Sequence, residues 1–276
     1  MKLWLNGKLV DEQDARISPF DRGLLLGDGV FETLRVYRGT PFAWRRHMER
    51  LQHSAEGMEL QVPDINQLRK AADEVLKANE LVEGRLRITI TGGLGPPGLL
   101  HGPESTAMVT ATAFTPWPET IETVISPWPS NERRATVGIK TIAYAEGVRA
   151  LQYAKAHGAT EAIVCNTRGE VCEAAAANVF IVQDDVVKTP PLTSGCLNGV
   201  TRGLLLELCE ANGIPHKESV ISPAELLKAE EVSLTASTRQ VNSVARVDET
   251  HFKAPGPISS RLQQLFHELV SKTLDP

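Results

Sequence analysis

Apolar and polar positions alternate along the first half of the chain as the strands of a sheet require. Residues 30–36 alternate with a period of two, and Asn6-Gly7 stands between two short apolar runs. Such a dipeptide favours a two-residue hairpin turn, because both positions accept positive φ. Residues 85–91 and 107–114 are also predicted strands, joined by a glycine- and proline-rich surface loop over 92–103. The pattern therefore predicts that a sheet opens the fold.

Two helices are predicted to pack on this sheet. Residues 45–58 contain no glycine before position 57, and Asp64 can accept hydrogen bonds from the first amides of a second helix. Apolar residues recur in that second helix every three or four positions, which gives it one apolar face. They are Ile65, Leu68, Ala72, Val75 and Leu76.

The second half of the chain mixes both kinds of element. Strands are predicted over 160–165, 179–182 and 186–187, and helices over 201–211 and 258–274. The fold class expected from this mixture is α+β.

Two proline-flanked tryptophans, Pro116-Trp-Pro118 and Pro127-Trp-Pro129, indicate a domain junction, because proline disfavours helix and central strand. We expect a smaller N-terminal α+β domain over 1–118, an interdomain linker over 119–129 and a larger C-terminal domain over 130–276.

Composition narrows the classes of function. The 276 residues include 29 basic and 34 acidic side chains, a net charge of −5 that offers no footprint for nucleic acid or an anionic membrane. The start of the chain lacks a long apolar segment, and no stretch approaches the roughly 18 apolar residues of a membrane span. The four cysteines show neither C-x-x-C pairing nor nearby histidines at zinc-ligand spacing. We expect a cytosolic protein that acts on small molecules, without a metal, nucleic acid or membrane.

Three segments carry a combination of residues that indicates a cofactor. Lys140 lies in an otherwise mostly apolar run, Glu173 precedes four alanines, and Gly199-Val-Thr-Arg202 opens an apolar helix. A lysine amine can hold an aldehyde as a Schiff base, a carboxylate can keep a pyridine nitrogen protonated, and helix-start amides can bind phosphate. Together they predict a pyridoxal 5′-phosphate enzyme. By composition alone Lys155 or Lys188 would serve as well, and Glu173 could be a surface residue near a strand start.

The ordered segments resemble one known family over nearly the whole chain. They run from Leu5-Asn-Gly7 through Gly27-Asp-Gly-Val-Phe-Glu-Thr-Leu-Arg35 and His47-Met-Glu-Arg-Leu51 to Thr235-Ala-Ser-Thr238. The chain is similar to the class IV aminotransferases, the fold-type-IV pyridoxal-phosphate enzymes. That resemblance implies a two-domain α+β fold like that of D-amino-acid aminotransferase, with the active site between the domains, and a homodimer.

The resemblance also implies roles for individual residues. Lys140 would carry the cofactor, Glu173 would face the pyridine nitrogen, and Tyr144 would hydrogen-bond the cofactor's phenolic oxygen or else be a packing tyrosine. Arg50 stands at the position of a phosphate-binding arginine, where a planar guanidinium suits phosphate oxygens. The remaining phosphate contacts would come from Val200 and Thr201 at the helix start, and from Ser237 and Thr238, whose alternative is an ordinary turn.

Thr33 is the residue most sensitive to the type of reaction. In Phe31-Glu-Thr33 it stands where branched-chain aminotransferases have glycine and where aminodeoxychorismate lyases resemble this chain, so its hydroxyl could help to move a proton. Its alternative role is strand packing. Arg35 and Arg87 project from predicted strands and could bind substrate carboxylates, although either could instead form a structural ion pair.

The first functional expectation is a 4-amino-4-deoxychorismate lyase that yields 4-aminobenzoate and pyruvate, with Lys140 as the base. The main alternative is a class IV transaminase that acts on branched-chain amino acids, D-amino acids or amines with a 2-oxo acid acceptor. A pyridoxal-phosphate-binding protein without turnover is a third possibility, against which the presence of Lys140 argues.

Overall fold

The computed structural model describes residues 1–96, 98–100, 102 and 104–276, which fall into two compact units. The first contains Met1–Thr115, Ile139–Tyr144 and Thr273–Pro276, and the second contains Pro116–Gly138 and Ala145–Lys272. Residues 97, 101 and 103 of the predicted loop 92–103 lie outside the described residues.

The described part of the first unit has a six-stranded sheet with antiparallel neighbours, in the order β2-β1-β6-β5-β3-β4. Its elements are β1 (Lys2–Leu5), β2 (Lys8–Asp11), α1 (Arg22–Leu26), β3 (Gly29–Tyr37), β4 (Thr40–Pro41), α2 (Trp44–Gly57), α3 (Ile65–Ala78), β5 (Gly84–Thr91) and β6 (Thr106–Ala113).

Local signals explain most of these elements. Leu5 pairs with Lys8 across Asn6 and Gly7, both of which have positive φ, so the predicted hairpin is confirmed. Asp64 caps α3 as expected, accepting hydrogen bonds from the Asn66 and Gln67 amides. Helices α2 and α3 pack their apolar faces on the sheet to form one core. The core residues of β3 are its even-numbered apolar positions, Val30, Leu34 and Val36.

The second unit contains, over its described residues, a nine-stranded sheet in the order β12-β11-β10-β13-β14-β7-β8-β9, with β15 paired to β14. Its elements are β7 (Thr120–Ile125), α4 (Ala145–Ala156), β8 (Glu161–Cys165), β9 (Val171–Ala174), β10 (Asn178–Gln183), β11 (Val186–Thr189), α5 (Val200–Ala211), β12 (His216–Glu218), α6 (Pro223–Leu227), β13 (Glu231–Ala236), β14 (Gln240–Val247), β15 (Thr250–His251) and α7 (Pro257–Lys272).

This sheet buries a core between β10, β13 and β14 and the strands β8 and β9. Strand β7 runs parallel to both of its neighbours, β14 and β8, whereas β10, β13 and β14 pair antiparallel. Helices α5 and α7 contact β13. The α+β class expected from the sequence is confirmed.

Two features differ from the expected domain organisation. The segment 119–129, expected to be a linker, contains β7, a strand inside the sheet of the second unit. Residues 139–144, expected to belong to the C-terminal domain, are part of the first unit because their backbone bonds to β3. None of the helices over the described ranges combines the length and apolar character needed to cross a bilayer.

Candidate active site

Lys140 lies in a short segment that pairs with the start of β3. The Phe31 amide donates to the Lys140 carbonyl at 3.0 Å, and the Lys140 amide donates to Ser54 Oγ of α2 at 3.1 Å. Nearby, the Ile142 amide donates to the Gly29 carbonyl at 2.9 Å. A Cβ at Gly29 would lie 2.6 Å from the Ile90 carbonyl oxygen and 2.8 Å from Ile142 Cδ1, so glycine is required for this close approach. The backbone of Lys140 is therefore held by both β3 and α2.

The Lys140 side chain lies against two aromatic rings. Its Nζ is 4.6 Å from the Phe31 ring centroid and 3.5 Å from Tyr144 Oη, which is the outer limit of a hydrogen bond. The two rings meet edge to face with centroids 5.4 Å apart. A phenol can both donate and accept a proton, so Tyr144 is placed to exchange one with the amine. The structure thus brings together two of the residues predicted from the sequence.

Arg50 belongs to a buried network that centres on Glu32. Arg50 Nε donates to Glu32 Oε1 at 2.7 Å and Nη2 donates to Oε2 at 2.8 Å, while His47 Nδ1 lies 2.6 Å from Oε2. Burial alone would raise the pKa of the Glu32 carboxyl, but Arg50 and His47 hold it well below its usual range. Burial lowers the pKa of His47 against the opposing pull of Glu32, so the ring is neutral at pH 7. The network fixes the guanidinium of Arg50 by a two-point contact.

Sequence reasoning missed Glu32 and His47. One signal was available, since Glu32 occupies an even position of β3, on the side where Val30, Leu34 and Val36 enter the core. A carboxylate at such a position is costly unless it is paired, and therefore predicts a cationic partner from the helix above.

The odd positions of β3 face the other side of the sheet, and Arg87 of β5 lies there opposite Thr33. Arg87 Cζ is 3.7 Å from the Phe31 ring centroid, and Nε donates to Thr89 Oγ1 at 3.1 Å. Within the described ranges no carboxylate pairs with Arg87, whose pKa is lowered by burial and raised again in part by Tyr144. Because Arg87 and Lys140 both lie over the ring of Phe31, a carboxylate bound to Arg87 would come close to the amine.

Arg35 has a different environment. Its guanidinium pairs with Glu83, donates to the Gly84 carbonyl at 3.0 Å and lies 3.6 Å from the Phe114 ring centroid. Arg35 is buried, at 5% exposure. These contacts favour the structural ion pair over the substrate role that the sequence also allowed, so we leave Arg35 out of the proposed site.

In the second unit, Glu173 lies on β9 and contacts the turn before α5. Its Oε2 accepts a hydrogen bond from the Leu197 amide at 3.0 Å. Helix α5 begins at Val200 after Gly199, which provides no side-chain cap, and the first hydrogen bond within the helix runs from the Gly203 amide to the Gly199 carbonyl. The amides of residues 200–202 therefore have no partner within the helix, as anion binding at a helix start requires.

Ser237 and Thr238 lie in the turn between β13 and β14, at intermediate exposure. The turn ends at Arg239, whose amide donates to the Ala236 carbonyl at 3.1 Å and whose buried guanidinium pairs with Glu161 at 2.5 Å. The Arg239 guanidinium also lies 3.8 Å from the ring centroid of Trp117. A buried ion pair therefore anchors the loop that carries the two predicted phosphate contacts.

The residues present fit pyridoxal 5′-phosphate. The first unit supplies an amine at Lys140, a phenol at Tyr144 and a cation at Arg50, while the second supplies the Glu173 carboxylate and the amides at the start of α5. In addition, the buried Thr235 Oγ1, just before Ser237, has no hydrogen-bond partner among the described residues. Buried hydroxyls are normally satisfied, so this atom is consistent with a polar ligand.

The chain belongs to the class IV aminotransferase family, whose model matches residues 29–247. A Methanocaldococcus jannaschii protein proposed to be a branched-chain-amino-acid aminotransferase is 33% identical over 99% of this chain and 97% of that protein. The D-alanine aminotransferase of Bacillus licheniformis is 32% identical over 99% of both chains.

Solved structures match the fold closely. The branched-chain aminotransferase of Thermoproteus uzoniensis, solved with norvaline, has a TM-score of 0.93 at 30% identity and covers 98% of this chain and 94% of its own. A Legionella pneumophila protein proposed to be a 4-amino-4-deoxychorismate lyase has a TM-score of 0.89 at 25% identity, over 94% of this chain and 97% of its own. The branched-chain aminotransferase of T.th., with a TM-score of 0.91 at 25% identity over 98% and 94%, holds pyridoxamine 5′-phosphate.

These matches confirm the fold-type-IV class, the enzyme class and pyridoxal 5′-phosphate as the cofactor. They also change the order of the two functional expectations. Relatives named as aminotransferases match at higher identity than the lyase-like structure, so the transaminase, ranked second from the sequence, is the better supported activity.

Proposed function

We propose that this protein is a pyridoxal-phosphate-dependent transaminase that moves the amino group of a branched-chain or D-amino acid to a 2-oxo acid. The observation that carries the proposal is the grouping of Lys140, Tyr144 and Arg87 around the ring of Phe31. It places a proton-transferring amine and a carboxylate-binding cation at one ring. Relatives named as branched-chain and D-alanine aminotransferases, similar over nearly their whole length, support the same activity.

Bound cofactor would supply an aldehyde and an electron-withdrawing ring that stabilises negative charge at the substrate Cα. Lys140 Nζ would carry the proton between Cα and the cofactor carbon, since it is the amine at the centre of the cluster. Tyr144 Oη, beside it, would orient that amine and hold the neighbouring oxygen of the cofactor. Glu173 would keep the pyridine nitrogen protonated, because a carboxylate favours the charged form of a nearby base.

Arg50, Val200, Thr201, Ser237 and Thr238 would hold the phosphate. Arg50 has the geometry for this role, because Glu32 accepts two of its N–H groups and leaves others for a ligand. Arg87 would bind the α-carboxylate of the amino acid and of the 2-oxo acid, the group that both substrates share.

The lyase remains a second candidate because one observation favours it. Thr33 is half-buried on β3, on the side where Phe31 and Arg87 lie, so its hydroxyl faces the same region as the reactive amine. The Legionella structure proposed to be such a lyase has the same fold. Thr33→Gly should depress lyase turnover more than amino transfer, whereas equal loss of both would assign Thr33 to packing.

A paired assay on the cofactor-loaded protein tests the proposal. Amino transfer to 2-oxoglutarate and pyruvate would be measured from L-leucine, L-valine, D-alanine and a simple amine, beside 4-aminobenzoate release from aminodeoxychorismate. We expect turnover with at least one of the amino acids and little 4-aminobenzoate. Rapid 4-aminobenzoate release without amino transfer would overturn the transaminase proposal in favour of the lyase.

We also propose that the protein acts as a homodimer. Three large apolar side chains near α1 are exposed in the single chain: Phe20 at 71%, Leu24 at 70% and Leu25 at 59%. Clustered exposure of this kind is typical of a surface that another protein covers.

A further inference from the structure

Asn178, at the first position of β10, contacts the turn that leads into α5. Its side chain is buried, at 6% exposure, and Nδ2 donates to the Leu197 carbonyl at 2.8 Å. A Cβ at Gly199 would lie only 2.0 Å from Asn178 Oδ1, so the turn packs directly on this amide and needs glycine there. The side chain of Asn178 therefore fixes the position of the residues just before the first amides of α5.

The peptide groups of Leu197 are held from two directions. The Leu197 amide donates to Glu173 Oε2 at 3.0 Å, and the Leu197 carbonyl accepts from Asn178. Glu173 is the carboxylate assigned to the cofactor ring, and α5 begins three residues after Leu197. One residue thus connects the ring-binding carboxylate to the helix start assigned to the phosphate.

Asn178 is also linked to the second loop assigned to the phosphate. It lies directly opposite Thr235 in the antiparallel pairing of β10 with β13, so the two side chains project from the same side of the sheet. Thr235 Oγ1 is buried without a hydrogen-bond partner among the described residues, and Thr235 begins the Thr-Ala-Ser-Thr segment. Asn178 therefore stands between both phosphate-side elements, the α5 start and the 235–238 loop.

We infer that Asn178 is a positioning residue for the phosphate group of the cofactor, a role that rests on the proposed function. It touches neither the reacting atoms nor, through its own amide, the phosphate. It acts by holding the Leu197–Gly199 turn so that the amides of Val200 and Thr201 point at the phosphate while Glu173 reaches the ring. Asparagine suits this position because its NH₂ group can donate to a carbonyl, and an aspartate would instead place a negative charge beside a bound dianion.

The test compares two ligands that differ only in the phosphate. Apo-protein would be titrated with pyridoxal 5′-phosphate and with pyridoxal, following the absorbance of the bound ligand. Both carry the same ring and aldehyde, so contributions from Lys140 and Glu173 cancel in the ratio of the two Kd values. For Asn178→Ala we expect the preference for the phosphorylated ligand to fall by about 10- to 100-fold, as for one lost charge-assisted contact. Asn178→Asp should lose more, because it adds repulsion.

The matched control lies at the other end of the same helix. Asn212 Nδ2 donates to the Leu208 carbonyl at 2.8 Å on the protein surface, so Asn212→Ala removes a similar amide–carbonyl bond far along α5 from its start. We expect no change in its ligand preference. Thermal melting of every variant verifies folding, and if Asn178→Ala does not fold, the nearly isosteric Asn178→Asp carries the test.

Two results would overturn the inference. Equal weakening of both ligands in the Asn178 variants would show that the residue only stabilises the fold, and an unchanged preference would show that it does not position the phosphate site. Failure of the proposed function looks different, because the wild-type protein itself would then not bind pyridoxal 5′-phosphate more tightly than pyridoxal.

Discussion

Phe31 is the residue around which the proposed chemistry of the first unit is arranged. Its amide holds the Lys140 backbone, and its ring contacts the Lys140 amine, the Arg87 guanidinium and the Tyr144 ring. On the opposite side of the same strand, Glu32 orders Arg50. The alternation of β3 therefore separates a substrate-facing side from a side that supports the phosphate-binding arginine.

Arg87→Gln tests the substrate side. Loss of the cation should raise KM for both the amino acid and the 2-oxo acid by about 10- to 100-fold, the effect of losing a hydrogen-bonded charge pair. Initial rates over a range of substrate concentrations measure this change. Arg85→Gln is the matched control, because Arg85 is an exposed arginine two positions earlier on β5. Equal effects of the two substitutions would contradict a specific role for Arg87.

His47 predicts a pH dependence of stability. The folded protein keeps His47 neutral because its pKa is lowered from 6.5, whereas the unfolded chain binds a proton near that pH. The unfolded state therefore gains protons as pH falls below about 6.5, and the unfolding free energy should drop by up to about 1.4 kcal/mol per pH unit from this group. Denaturant titrations from pH 7 to pH 5 should show a shallower slope for His47→Gln. Identical slopes would contradict a neutral buried His47.

At the scale of elements, α2 depends on residues that are remote in sequence. Its N-cap, Ala43, offers no side-chain cap, and the Ala43 and Arg45 amides donate instead to the Leu274 carbonyl at 2.7 Å and to Asp275 Oδ1 at 3.0 Å. The hairpin at Asn6-Gly7 and the Asp64 cap were predictable, because each is encoded within a few residues. The Asp275 cap was not, since its partner lies 230 positions away.

Removal of this cap should destabilise α2, the helix that carries His47 and Arg50. We expect Asp275→Ala to lower the unfolding free energy by about 1 kcal/mol, as for other helix caps. Urea denaturation followed by circular dichroism measures this loss. Asp73→Ala, which removes an exposed carboxylate within α3, should cost less, and a larger loss at Asp73 would contradict the capping role of Asp275.

At the scale of the whole molecule, the α+β class and the family followed from the sequence, whereas the course of the chain between the units did not. Prolines at 116, 118, 127 and 129 suggested a linker, yet they flank β7 instead of interrupting it. Strand β7 pairs in parallel with β8 and with the distant β14, and no local pattern encodes such pairing. Lys140 itself was predictable as a residue, but its place beside β3 depends on backbone bonds more than 100 residues apart in sequence.

The dimer proposal belongs to the same scale. Leu24→Asp should shift the protein toward a monomer, because a charge replaces an apolar side chain that is 70% exposed in the single chain. Sedimentation velocity over a range of concentrations measures the shift. Val82→Asp, at a residue 64% exposed elsewhere in the first unit, is the control and should leave the state unchanged. A monomeric wild-type protein would rule the proposal out.

The most direct test of the account is to locate the lysine that binds the cofactor. The protein would be loaded with pyridoxal 5′-phosphate, reduced with borohydride to make the lysine–cofactor bond permanent, digested, and analysed by mass spectrometry. We predict the modification on the peptide that carries Lys140, and its loss in Lys140→Ala while circular dichroism stays unchanged. Modification of Lys155 or Lys188 instead, or an equal yield in Lys140→Ala, would contradict the active site described for this protein.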